Sequence, residues 1–200
     1  MEEFFKLRAD KQHHIINGAF TVFSQNTYKK AAVSDIAAAA GISKAMVFYY
    51  FGGKKALYLY LVRQCGGILT EEKKKHFDKD VTDFFDRIKM ITLLKMSVIV
   101  RQPALLPFLK NVYFETDPEV VDDIREIIST GMTNVWSMML DEADISRFED
   151  ENAPELLMKL LIWSGEGVVS DWYANSDLQV RIDEYIQCLD LLKKVFYIKN

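Results

Sequence analysis

Apolar residues recur at three- and four-residue intervals along almost the whole chain, the spacing that places them on one side of an α-helix. Only four prolines and nine glycines interrupt the 200 residues, so long helices can form without a break. Half of the residues are apolar, which is enough to bury a sizeable core. The pattern predicts an all-α protein of about nine helices.

The sequence disfavours several classes of protein. No apolar run is long enough to cross a membrane, and the N-terminal residues do not form a secretion signal. Cys65 and Cys188 stand far apart, and His76 is remote from the adjacent His13 and His14, so no metal-ligand spacing occurs. No nucleophile motif or catalytic set is present. We expect a cytoplasmic protein that is not an enzyme and has neither a metal site nor a cofactor.

Charge is distributed unevenly along the chain. Residues 1–55 hold eight Lys and Arg against four Asp and Glu, a net charge of +4. The remaining residues hold 17 against 25, a net charge of −8. A basic N-terminal quarter on an acidic body can be an ordinary solvated face, but it is also the sign expected if the first quarter meets nucleic acid.

Three short helices are predicted in the first quarter, over about residues 10–24, 33–40 and 44–50. Gly41 suits the turn between the second and the third, and Ser43 is a suitable N-cap for the third. This arrangement has the form of a helix-turn-helix, which lays its second helix in the DNA major groove. The candidates for reading bases are then Ser43, Lys44, Ala45 and Met46, with Lys44 able to bond guanine or a phosphate.

The run from Ala19 to Tyr60 resembles the N-terminal signature of the TetR family of transcriptional regulators. The blocks that carry the resemblance are Asp35-Ile36-Ala37, Ala40-Gly41-Ile42-Ser43-Lys44, Val47-Phe48-Tyr49-Tyr50-Phe51 and Lys54-Lys55-Ala56-Leu57. The resemblance implies a three-helix DNA-binding domain over residues 1–53 and a helical ligand-binding and dimerisation domain over residues 54–200.

Two further DNA contacts are expected at the end of this signature. Lys54 and Lys55 occupy the first turn of a predicted helix, where the helix dipole disfavours cations and favours an anion. A DNA phosphate would supply that anion, and the resemblance assigns such a contact to Lys54. Tyr49 keeps a hydroxyl available for a phosphate.

The chain departs from the family pattern at three places. Ala31 and Ala32 stand where the family usually has a Thr or Ser that caps the second helix, so one cap and one phosphate contact are expected to be lost. Ala45 and Met46 replace a usual glycine and a polar residue, and Met46 favours contact with a thymine methyl group. Phe48 replaces a common tyrosine.

Large, soft side chains are concentrated after residue 84, and these suit either an ordinary core or a pocket for an apolar ligand. The pocket candidates are Met96, Phe108, Met132, Trp136 and Trp163.

The last two predicted helices carry apolar residues around more than one side, which suggests burial against a second subunit. The family resemblance implies a homodimer through these helices.

The function predicted from the sequence is a ligand-responsive repressor that a small hydrophobic effector releases from operator DNA. One alternative is a DNA-binding dimer that needs no ligand. Another is a helical interaction or lipid-binding protein whose helix-turn-helix is degenerate.

Overall fold

The computed structural model describes the backbone of residues 1–140, 142–171 and 178–198, and the side chains in these ranges other than those of residues 69, 132–139, 162, 163, 165–171 and 178. Ten α-helices occupy the described ranges, which confirms the all-α prediction. They are α1 Glu2–Phe5, α2 Ala9–Gln25, α3 Val33–Ala39, α4 Lys44–Phe51, α5 Lys54–His76, α6 Phe84–Arg101, α7 Leu105–Tyr113, α8 Val121–Leu140, α9 Ala153–Asp171 and α10 Leu178–Phe196.

One helix was not predicted, the four-residue α1 at the N-terminus. A helix this short has no repeat from which periodicity could reveal it. Phe4 holds α1 in place because its ring is buried, with its centroid 4.8 Å from that of Phe51 and 6.0 Å from that of Tyr60.

The chain folds into two compact units. Unit 1 comprises residues 1–68 and 99–130, and unit 2 comprises residues 69–98 and 131–200. Helices α5, α6 and α8 each contribute residues to both.

Aromatic rings form the centre of unit 1. The Phe108 ring of α7 lies edge-on to Phe20 of α2 at a centroid distance of 5.1 Å, and it lies 5.6 Å from Tyr58 of α5. Tyr58 also contacts Phe23 and Tyr28 at 4.8 and 5.1 Å. These rings join α2, α5 and α7 into one core.

Gly18 sets the distance between α2 and α3. A Cβ atom at this position would lie 2.4 Å from the carbonyl oxygen of Ala39 and 2.6 Å from the amide nitrogen of Ala40. Both atoms belong to the backbone, so they cannot turn aside as a side chain could. Only glycine permits so close an approach of the two helices.

The core of unit 2 is a cluster in which Phe84, Phe85, Phe148 and Tyr197 contact one another at centroid distances of 5.0 to 5.8 Å. Arg87 is fully buried beside this cluster and donates to the carbonyl oxygens of Val81 and Glu142.

Asp83 connects the start of α6 to the end of α10. Its Oδ1 accepts from the backbone N–H groups of Phe85 and Asp86, both at 3.1 Å, and so caps α6. The carboxylate also lies 2.9 Å from Nζ of Lys193 and 3.0 Å from Nη1 of Arg147. Burial raises the pKa of Asp83, but the hydrogen bonds from Lys193 and the Asp86 amide outweigh it, so its pKa lies below the ordinary value.

No single described helix has the length and apolar composition needed to cross a membrane. The bent pair α6 and α7 meets that test only when its two helices are taken together.

Replacing Gly18 with Ala is expected to lower the free energy of unfolding by about 2 kcal/mol, since the added methyl group must push α3 from α2. Gly67→Ala is the matched control: nothing lies within 4 Å of a Cβ placed there. Inside α5 this change should be neutral or stabilising by up to about 1 kcal/mol. Urea denaturation followed by circular dichroism measures both, and equal stability of the two variants would contradict the close approach.

Replacing Asp83 with Ala should destabilise unit 2 by roughly 1 kcal/mol for the lost cap, and by about as much again for the lost ion pairs. Asp83→Asn keeps a capping oxygen and should lose only the second part. Because folding lowers the pKa of Asp83, its charge stabilises the protein above the unfolded pKa, and this contribution is lost as the pH falls through the folded pKa. The difference in Tm between wild type and Asp83→Asn should therefore be constant above about pH 5 and shrink below about pH 4. A difference that does not change with pH would refute the ion-pair role.

Candidate nucleic-acid interface

Two glycines and one serine define the helix-turn-helix formed by α3 and α4. Gly41 has a φ of 62°, the left-handed conformation that ends α3 in a tight turn. The Oγ of Ser43 accepts from the backbone N–H of Met46 at 3.3 Å and caps α4, as the sequence predicted. Gly52, with a φ of 81°, ends α4.

The two sides of α4 differ sharply in exposure. Val47, Tyr50 and Phe51 are buried and attach the helix to the rest of unit 1. Phe48 is 49 % exposed and Tyr49 is 64 % exposed.

Every predicted base-reading residue lies at the N-terminal part of α4. Ser43, Lys44 and Ala45 are exposed, and Met46 is partly buried. A helix that is anchored on one side and shows a cation and an aromatic hydroxyl on the other can enter a groove of duplex DNA.

The start of α3 confirms the loss of a cap. Ala32 occupies the N-cap position and provides no side-chain hydrogen bond, and Ala31 is buried. Lys29 and Lys30 are exposed in the turn just before these residues, where they add positive charge to the same end of the unit.

Lys54 makes contacts that the sequence did not predict. Its Nζ donates to the carbonyl oxygen of Tyr28 at 3.0 Å and to that of Ala31 at 3.4 Å, and it lies 4.2 Å from the centre of the Tyr28 ring. An ammonium group has three N–H donors, so one remains for a phosphate. Lys54 also lines a cleft of about 420 Å³ together with Gly52, Gly53, Lys55 and Glu119.

The α7 region fixes the backbone that leads into α3. Nδ2 of Asn111 lies 2.9 Å from the carbonyl oxygen of Phe23, 3.1 Å from that of Ser24 and 3.3 Å from that of Asn26. The Glu115 carboxylate accepts from the backbone N–H of Tyr28 at 2.9 Å. Sequence reasoning missed both residues, because nothing local to residues 111–115 indicates a partner more than 80 residues away.

A third connection joins α5 to α8. Nζ of Lys55 lies 2.8 Å from a carboxylate oxygen of Asp123, and both side chains are substantially exposed. The first-turn cation that the sequence left unexplained thus has a carboxylate partner.

The five predicted ligand residues are placed differently. Phe108 is fully buried in the aromatic core of unit 1, and Met96 is partly buried in unit 2. The side chains of Met132, Trp136 and Trp163 lie outside the described residues. Among the described side chains, the structure brings no two of the five into the same unit.

Known proteins resemble this chain in sequence. The family profile of bacterial regulatory proteins, tetR family, matches residues 15–61, the segment that contains α3 and α4. The negative transcriptional regulator IcaR of the icaADBC biofilm operon of Staphylococcus aureus is 39 % identical over 146 residues, which cover 69 % of each chain. RutR, a transcriptional regulator of Escherichia coli, is 39 % identical over 54 residues, which cover 27 % of this chain and 26 % of RutR.

Solved structures share the fold over most of the chain. The fatty acid degradation regulator FadR of Bacillus halodurans superposes with a TM-score of 0.74 at 21 % identity, covering 91 % of this chain and 97 % of that one. FadR of Bacillus subtilis, solved with stearoyl-CoA, gives a TM-score of 0.73 at 19 % identity, covering 88 % and 96 %. With the exposed α4 and the IcaR similarity, these matches identify the chain as a member of the TetR family, a helix-turn-helix transcriptional regulator and not an enzyme.

Proposed function

We propose that this protein is a transcriptional repressor that binds operator DNA as a homodimer and is released by a small hydrophobic effector. The observation that carries the proposal is α4, which is capped at Ser43, anchored by Val47 and Phe51, and exposed along the side that bears Lys44 and Tyr49. Repression is supported by the similarity to IcaR, which is a negative regulator. Bacterial operators lie on the chromosome, so the proposed location is the cytoplasm.

The proposed DNA contacts divide into two groups. Ser43, Lys44, Ala45 and Met46 would approach base edges, because they form the first turn of the helix and its cap. Tyr49 and the remaining N–H of Lys54 would bind phosphates, which fix the orientation of the helix on the duplex. We assign DNA binding to residues 1–53 and effector binding and dimerisation to residues 54–200.

Dimerisation through α9 and α10 is supported by apolar side chains that remain exposed on these two helices. Leu156 and Leu160 of α9, one turn apart, are each more than half exposed. Leu191 and Val195 of α10, also one turn apart, are 62 % and 64 % exposed. Exposed apolar stripes on two consecutive helices are typical of a subunit interface. A twofold dimer would present two copies of α4 to a pseudo-palindromic operator.

The proposed effector acts through the connections around α7 and α5. α5 is a continuous helix with Lys54 in its first turn, and Lys54 holds the backbone just before α3. Asn111 and Glu115 hold the same segment from α7. A shift of α5 or α7 would therefore move α3 and α4, and ligand and operator would weaken the binding of each other reciprocally. An apolar effector is supported by the FadR structure that contains stearoyl-CoA.

Replacing Lys44 with Ala should weaken binding to the operator about tenfold or more, since one contact to a base or phosphate is worth roughly 1–3 kcal/mol. The measurement is a gel shift with DNA flanking the protein's own gene, repeated over a range of salt concentrations. Lys74→Ala is the matched control, because Lys74 is an exposed lysine on unit 2 that pairs with Glu71. Equal affinity of the two variants, or no retardation of any genomic fragment, would contradict the proposal.

Replacing both Leu191 and Val195 with Glu should convert the dimer to a monomer, because four charges would be buried at a twofold interface. Light scattering coupled to size-exclusion chromatography gives the mass directly. Val100→Glu serves as the control, since Val100 is 66 % exposed on α6, away from the proposed interface helices in the sequence. A double variant that keeps the mass of the wild type would exclude α10 from the interface.

A further inference from the structure

Two lysines of unit 2 are buried or partly buried and have no carboxylate partner among the side chains that the structure describes. Lys73 lies in the last turn of α5 and is 7 % exposed, and Lys95 lies inside α6 and is partly buried. Among the side chains that the structure describes, neither ammonium group makes a hydrogen bond or an ion pair. Burial and the nearby charge of Lys95 lower the pKa of Lys73 to about 8, and burial also lowers the pKa of Lys95.

Two other lysines in unit 2 do have carboxylate partners. Lys89, six positions before Lys95 on the same helix, pairs with Asp190, and Lys193 pairs with both Asp83 and Asp86. Buried lysines are uncommon unless they are paired, and two like charges close together add repulsion. Within the described part of unit 2, the partly buried Lys89 and Lys193 thus have carboxylate partners, whereas Lys73 and Lys95 have none.

The helix dipole can stabilise the charge of Lys73 but not that of Lys95. The dipole of α5 favours a cation in its last turn, where Lys73 lies. Lys95 is distant from both ends of α6, so no helix end stabilises its charge. An anion placed between the two ammonium groups would pair with both and offset part or all of their charge.

The neighbours of Lys95 on α6 indicate what such an anion would carry. Ile91 and Val98 lie one turn to either side of Lys95 on the same face of the helix, and both are buried. A ligand that reaches Lys95 along this face would meet apolar side chains before and after the charge.

We propose that Lys73 and Lys95 form a binding site for the anionic head group of an amphipathic effector, a carboxylate or phosphate attached to an apolar chain. This inference rests on the proposed function and names the ligand class of its effector. Charge pairing with the two lysines provides selectivity, and the apolar chain provides most of the surface buried on binding.

The test uses the full-length protein with four probes of equal chain length: decanoate, decyl phosphate, 1-decanol and decylamine, each below its micellar concentration. The two anions should raise the Tm, whereas the alcohol and the amine should not. Stabilisation by decanoate alone or by decyl phosphate alone would support the site and identify the head group. Stabilisation by all four probes, or by neither anion, would overturn the proposal.

Variants locate the site. Lys73→Met and Lys95→Met should each weaken binding of the stabilising anion at least tenfold, measured by calorimetric titration. Lys74→Met should leave binding unchanged, because Lys74 is exposed and paired with Glu71. Undiminished affinity in both Lys73→Met and Lys95→Met would overturn the proposal.

The ligand-free variants give an independent readout. Removing an unpaired buried charge should raise the Tm of each Lys→Met variant above that of the wild type at pH 7. A lower Tm in both would mean that the lysines are paired within the protein, which would overturn the site. If a Met variant does not fold, Lys95→Gln and Lys73→Gln replace it in the titration. Operator binding by the ligand-free variants, measured by gel shift, should match that of the wild type. Wild-type protein that binds no DNA would refute the proposed function. DNA binding by a protein that does not respond to the anions would refute only the anion site.

Discussion

The helix-turn-helix of this protein depends on backbone hydrogen bonds supplied from α7 and the residues that follow it. Helix α2 ends at Gln25, and its last carbonyl oxygens have no partner within the helix. The amide of Asn111 bonds those of Phe23 and Ser24, and it also reaches the carbonyl oxygen of Asn26. Glu115 then holds the N–H of Tyr28, and Lys54 holds its carbonyl oxygen. The segment that leads into α3 is thus fixed by side chains that lie outside the helix-turn-helix of α3 and α4.

This attachment has a functional consequence. Because α3 begins without a side-chain cap at Ala32, the preceding backbone receives its order from Lys54 and the α7 region instead. A displacement of those side chains would release the start of α3, and α4 follows α3 through the turn at Gly41. The same contacts that stabilise unit 1 therefore offer a route by which the proposed effector would change the position of α4.

Unit 2 contains well-paired charges and also two lysines that have no carboxylate partner within the described residues. Asp83 caps α6 and forms ion pairs with Lys193 and Arg147, and the pair with Lys193 joins α6 to α10. Lys73 and Lys95 remain without carboxylates among the described side chains. A regulator must favour its ligand-free state only moderately if a ligand is to shift it, and the proposed anion site would meet that requirement because its two like charges repel each other until an anion binds.

The amino-acid sequence by itself determined the all-α class and the α3–α4 hairpin, because apolar periodicity, Gly41 and the Ser43 cap are local signals. It also indicated the lost cap at Ala32. Only the tertiary structure revealed the partners of Lys54, the role of Asn111 and Glu115, and the burial of Phe108 in the core of unit 1. These features join residues far apart in the chain, and neither hydrophobic periodicity nor turn chemistry contains information on which distant side chain will reach a given carbonyl group. The short helix α1 was not predicted for a different reason. Four residues are too few to form a periodic pattern, and the buried ring of Phe4 that holds them in place is a tertiary contact.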